Sequence, residues 1–266
     1  MEVPFPRFPS SFIAGLVPFI VAGMIIFTSY PLGRAPFPHP VIFYLSIFFS
    51  VAITAGLIGW GNLVEELGFD ATVAGEKPEM GLLRYLVLVP LGLATTYIIY
   101  NFVTGGGMYY YALVPFPMDF ALAQSLLSYP FIIHILNCFI VALFEEIQRN
   151  AGAFCFANAL AKRGWDKWSS VLVGNFIASI CFILLHVVAW AFTPNIFSYI
   201  FGIMMAMLFS MLGYVLSVKE FGPFYFPEFS IIPGMMAHFL WDTLVVMNMR
   251  VLPVSPLSLA LGVVKW

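Results

Sequence analysis

The chain predicts an all-α fold, a polytopic bundle of seven or eight transmembrane helices. Three observations carry that class. Hydrophobic residues make up 62% of the chain and charged ones only 9%, against about 25% charged in a water-soluble domain. The mean hydropathy is +0.97. The apolar residues also fall in runs of roughly 20, the length a helix needs to cross the hydrocarbon core.

These runs place spans near residues 12–30, 40–60, 82–104, 127–149, 169–192, 195–218 and 229–249. The first follows MEVPFPRFPS, which lacks the basic start and cleavage site of a removable signal, so the first helix is expected to be retained. The Pro- and Gly-rich clusters at 31–40, 104–117 and 221–227 read as loops between spans. The tail 251–266 is short and proline-containing, and it leaves the eighth span open. Without repeats or low-complexity tracts, residues 1–266 read as a single integral membrane domain, with the motif-bearing core at about 127–249.

Loop charges orient this bundle. Arg7, Lys77, Arg84, Arg149, Lys162, Arg163, Lys167 and Lys219 fall on one side, and Arg34, Arg250 and Lys265 on the other. The positive-inside rule puts the richer side, with the N-terminus, in the cytoplasm of a protein of the cell membrane. A net charge of -2 offers no basic surface for nucleic acid, so membrane lipids are the expected partners. Cys138, Cys155 and Cys181 show no CxxC pairing and read as packing residues.

Ionisable groups inside such runs are costly, about 2.5 to 3.5 kcal/mol each on insertion scales, and they usually face a cavity and mark a site. His186 in CFILLHVVAW, His238 in GMMAHFLWDT and the acids Glu145 and Glu146 in VALFEEIQRN are such groups. A helix running on from Tyr129 to Lys162 would place Glu145 mid-helix. Glu145 and His186 then lie at similar distances, about 24 to 27 Å at the helical rise, from the AKRGWDKW turn, so an antiparallel pair brings them to one level. Phe182 with His186, and His238 with Asp242, are spaced four apart, which aims both members of each pair at one point. The parts suit hydrolysis: a carboxylate to take a proton from water, histidines to hydrogen bond to it, and polar groups to meet an oxyanion.

EEIQR (145–149), FILLH (182–186) and HFLWD (238–242) resemble the three signatures of the CAAX prenyl endopeptidase and bacteriocin-processing family of intramembrane proteases, also called CPBP or Abi. The family pattern reads EExxxR, FxxxH, then HxxxN or HxxxD on separate transmembrane helices. Its arginine falls where this chain has Asn150, while Arg149 stands one residue early and about 100° round the helix. The resemblance implies an intramembrane endopeptidase acting on a peptide or lipidated protein substrate. In that scheme Glu145 activates water with His186, and His238 with Asp242 holds the water or the tetrahedral intermediate. Glu146 supports the first acid or ties down Arg149, and Arg149 and Phe182 lend support or bind substrate. Members of the family are discussed as glutamate-dependent or as metalloproteases. If a metal such as zinc is used, His186 and His238 are the ligands to expect, although the helical HExxH spacing is absent.

Two other classes compete with this reading: an ion- or proton-coupled transporter, and a non-catalytic membrane binding protein whose Glu/His cluster is a structural polar knot. No pair of broken helices in matching half positions favours the transporter. The second acid pair, in VEELGFDA (64–71), reads as a solvated helix end. His39 reads as a loop residue. His134, about 16 Å along the helix from Glu145, reads as structural. Trp190, Trp241 and MYYYAL (108–113) are expected to pack or to anchor at the interface, and the methionines of 204–211 to fill helix contacts.

Overall fold

The computed structural model describes residues 7–28, 40–58, 63, 67, 78–104, 130–185, 196–215 and 229–251. All the secondary structure among them is helical: α1 (Phe12–Thr28), α2 (Pro40–Ile58), α3 (Pro78–Thr104), α4 (Phe131–Ala161), α5 (Lys167–Leu185), α6 (Ile196–Val215) and α7 (Ile232–Val251). Each of the seven predicted runs overlaps one of these helices, and the tail 252–266 lies outside the described residues. Two helices, α4 and α5, are long and apolar enough to cross a membrane. Apolar stretches of 10–17 residues occur in α1, α2, α3 and α6.

The polarity of the bundle is turned inside out relative to a soluble domain. Large apolar side chains such as Phe48, Leu57, Ile132 and Leu136 face outwards, whereas Glu145, Glu146, Gln148, Arg149 and Asn150 are buried. That distribution suits a lipid surround, in which apolar exteriors cost nothing and polar groups must find partners inside.

Helix α4 is the central strut, packed against α5, α7, α1 and α2. It runs 31 residues, on past the acids to the basic turn. Arg149 is therefore no loop charge, contrary to its place in the orientation count, because it is wholly buried within α4. The remaining basic residues keep the same bias. Gln148 donates to the Pro18 carbonyl of α1 at 3.1 Å, and Asn158 donates to the Phe8 carbonyl at 2.7 Å. These bonds turn the buried polar face of α4 into fasteners.

The α4–α5 connection is tight because Gly164 takes φ 91°, a left-handed conformation that suits glycine. Gly164 N–H then bonds the Ala161 carbonyl at 2.9 Å and Trp165 N–H the Leu160 carbonyl at 3.3 Å, the pairing of a Schellman motif. Arg163 lies over the Phe12 ring, 4.7 Å from its centre, and ties the turn to α1. Asp166 caps α5 by accepting the Ser169 N–H at 3.0 Å. The hydroxyl and amide of Ser169 hold the Asp166 carboxyl below its ordinary range. The capping stabilisation is thus fully present above the unfolded-state pKa and is lost as pH falls through the lower folded-state value. Acid titration of thermal unfolding is expected to show a smaller decline for Asp166→Ala than for wild type; equal slopes would count against the cap.

Small residues let α4 and α5 touch backbone to backbone. A Cβ on Gly174 would stand 2.7 Å from Ala157 N and 2.8 Å from Ala153 O. Neither is a side chain that can swing away. Gly174→Leu is expected to cost at least about 1–3 kcal/mol by forcing the helices apart. Thermal unfolding in mild detergent checks this, and an unchanged midpoint would refute the close approach.

Helix α7 is fastened on two sides. Thr96 of α3 donates to the Ala237 carbonyl at 2.8 Å, one residue before His238. Ile231 N–H donates to the Leu67 carbonyl at 2.9 Å. Leu63 and Leu67 are buried in the core, so the segment predicted as a solvated helix end contributes an inward apolar face, although its paired acids lie outside the described residues. Trp241 packs rather than anchors at an interface: it is buried against Tyr100 and Phe201 at ring distances of 5.7 Å. Cys138 and Cys155 are buried, and Cys181 is half-buried. Of the 204–211 methionines, Met205 enters the core and Met204 faces outwards. His134 is buried on α4, whereas His39, Trp190 and 108–113 lie outside the described residues.

Candidate functional site

Helix α4 presents Glu145, Glu146, Arg149 and Asn150 within two turns, and the i, i+3 and i, i+4 spacings bring Arg149 and Asn150 under the Glu146 carboxylate. Arg149 pairs with Glu146 Oε2 and also donates to the Ala206 carbonyl of α6. Asn150 Nδ2 donates to the Glu146 main-chain carbonyl at 2.8 Å and to Glu146 Oε2 at 3.1 Å. The chain thus holds one carboxylate oxygen with two adjacent residues.

The other Glu146 oxygen, Oε1, meets His238 Nδ1 of α7 at 3.0 Å. A carboxylate only accepts, so Nδ1 carries the proton of this bond. On the far side of the ring, Nε2 lies 3.5 Å from Glu145 Oε2 and 3.6 Å from Asp242 Oδ2. The imidazole is therefore a bridge between a tightly held acid and two loosely held ones. Its faces are fixed by aromatics: Phe209 of α6 stacks on it at 5.5 Å and 29°, and Phe182 of α5 meets it edge-on at 6.3 Å and 89°.

Among the described residues, three carboxyl groups face one guanidinium and one imidazole. Access is uneven. Glu145 and Glu146 are shut in at 4% and 1% side-chain exposure, whereas Asp242 is 29% exposed.

Of the residues singled out from the sequence, the structure thus gathers Glu145, Glu146, Arg149, Phe182, His238 and Asp242 around one imidazole. His186 lies outside the described residues. Among the described residues, no group of three or more His, Cys, Asp or Glu side chains is arranged to hold a metal ion. Instead, His238 and the carboxylates engage one another and Arg149. Comparisons with protein-family models, with curated proteins and with solved structures find no match to this chain.

Sequence reasoning overlooked what α6 supplies. Ser210 Oγ donates to Asn150 Oδ1 at 2.5 Å, Ala206 gives its carbonyl to Arg149, and Phe209 stacks on His238. A single serine within MMAMLFSMLG, flanked by residues able to pack, was the available signal. Without a charge or a spaced partner it does not stand out from an ordinary apolar span.

Proposed function

We propose that this chain is an intramembrane peptide hydrolase similar to the CAAX endopeptidase family, built as a bundle of seven or eight spans in the cell membrane with its N-terminus in the cytoplasm. The observation that carries this reading is the unequal treatment of two adjacent acids. Among the described residues, Glu146 is held by Arg149, Asn150 and His238, whereas Glu145 makes a longer, 3.5 Å approach to His238 Nε2. A tightly held carboxylate is a structural anion. A loosely held one beside an imidazole is a base.

In this mechanism Glu145 takes a proton from water as the water oxygen adds to the scissile carbonyl carbon. His238, as the imidazolium held through Nδ1–H by Glu146, turns Nε2–H towards the developing oxyanion, and Asp242 orients the ring and the incoming water. The tetrahedral intermediate collapses with cleavage of the C–N bond, and Glu145 returns its proton to the leaving amine. The products are one new carboxyl and one new amino terminus. His186, four residues after Phe182 in the sequence, is proposed to assist the water beside Glu145.

The alternative with support of its own is a non-catalytic binding protein, favoured by the complete pairing of Arg149 and Glu146, since buried ion pairs need no catalytic purpose. A knot of that kind gives no reason for leaving Glu145 loosely held next to a partly exposed Asp242. The deciding experiment compares new protein termini in membranes of cells carrying wild type and Glu145→Gln at matched expression. Termini produced only by the wild type support the hydrolase and name its targets, whereas identical termini in both would leave the binding reading.

A further inference from the structure

We propose that Ser210 of α6 is a positioning residue of the centre, acting on His238 through a relay Ser210–Asn150–Glu146–His238; its catalytic consequence rests on the hydrolase reading above. Each step of the relay is a short contact: 2.5 Å from Ser210 Oγ to Asn150 Oδ1, 3.1 Å from Asn150 Nδ2 to Glu146 Oε2, and 3.0 Å from Glu146 Oε1 to His238 Nδ1. All four residues are buried, with Ser210 at 2%, Asn150 and Glu146 at 1% and His238 at 9% exposure, so water does not substitute freely for a lost partner.

The amide of Asn150 is the element that Ser210 controls. An amide can sit in either of two orientations, and here the wrong one would aim Oδ1 at the Glu146 carbonyl and carboxylate, oxygen against oxygen. The Ser210 hydroxyl, donating to Oδ1, holds the amide with Nδ2 towards Glu146. Arg149 does not take over this role, because its guanidinium is already engaged by the Ala206 carbonyl one turn earlier on α6 and by Glu146 Oε2. Helix α6 thus sets the carboxylate by two latches. Arg149 to Ala206 supplies charge, and Asn150 to Ser210 supplies orientation. Glu146 in turn fixes the imidazole, whose Nε2 works beside Glu145.

The test uses full-length protein in lipid nanodiscs with 15N-labelled histidine; the chain has four histidines, and the His238 signals are those lost in His238→Gln. Ser210→Ala is expected to shift or broaden the His238 Nδ1 signal, and Ser210→Thr, which keeps the hydroxyl, to restore it. In cells, Ser210→Ala should lower the yield of Glu145-dependent termini by about 10- to 100-fold, the scale of a small misplacement at a reacting centre, with Ser210→Thr recovering most of it. Where the added methyl of threonine prevents folding, Ser210→Cys is the near-isosteric replacement. An unmoved Nδ1 signal in folded Ser210→Ala overturns the relay whatever the activity. A moved signal with wild-type yields of Glu145-dependent termini overturns its catalytic role. A moved signal in a protein that produces no Glu145-dependent termini removes the hydrolase reading and leaves the relay standing as a determinant of His238 geometry.

Discussion

Replacing Arg149 with methionine is expected to destabilise the folded protein by about 3–5 kcal/mol, the cost of leaving a buried charge without its partner. Arg149 is 0% and Glu146 1% exposed, and Arg149 neutralises a carboxylate sealed among helices. Methionine keeps much of the volume and fits an irregular gap, so the loss is electrostatic rather than a packing defect. Denaturant unfolding in mild detergent measures it. The double variant Arg149→Met with Glu146→Gln should recover a substantial part of the loss, because it removes the orphaned anion along with the cation. A wild-type midpoint for Arg149→Met would mean that Glu146 does not depend on the pair. The inward carbonyl of Ala206 would also lose its donor in this variant, so the recovery is expected to be incomplete.

The two adjacent glutamates should fail in different ways. Glu145→Gln is expected to reduce cleavage by more than about 100-fold while the unfolding midpoint stays near wild type, since the substitution removes a base and breaks only a long contact. Glu146→Gln should reduce cleavage and stability together, because it strips Arg149 of its counter-ion and His238 Nδ1 of its charged acceptor. The paired measurement is product yield, from the termini that distinguish wild type, alongside thermal unfolding of each purified variant. If Glu145→Gln cuts normally, the base is misassigned. If the two variants behave alike in both assays, the division into a working acid and a structural one is wrong.

The helices themselves were legible in the sequence, since long apolar runs bounded by Pro- and Gly-rich clusters leave a chain in hydrocarbon little choice but to satisfy its backbone within each segment. The spacing of four in HFLWD likewise predicted that His238 and Asp242 share a face, and their side chains lie 3.6 Å apart. The first motif was harder. Its shifted arginine looked like a departure, yet three and four residues beyond Glu146 both fall on the same side of α4, so Arg149 and Asn150 reach one oxygen together. The long helix expected to run past the acids to the basic turn is present, although hydropathy registers the EEIQRN charges as an exit from the membrane near residue 149. In the folded chain Arg149 pairs with Glu146, Gln148 and Asn150 are hydrogen bonded inside, and α4 continues to Ala161.

By itself the sequence determined an all-helical chain, the order and approximate extent of its helices, and which ionisable residues occupy apolar segments. Periodicity is a property of one helix and needs no partner. The tertiary structure alone decided that Glu146 is bound and Glu145 is left loosely held, that Asp242 is the exposed side of the centre, and that α6 contributes Ser210, Phe209 and the Ala206 carbonyl. Those outcomes depend on which helix lies opposite and at what register. Close approach of small residues such as Gly174 sets that register, and the hydrogen bonds of the buried polar side chains then hold it.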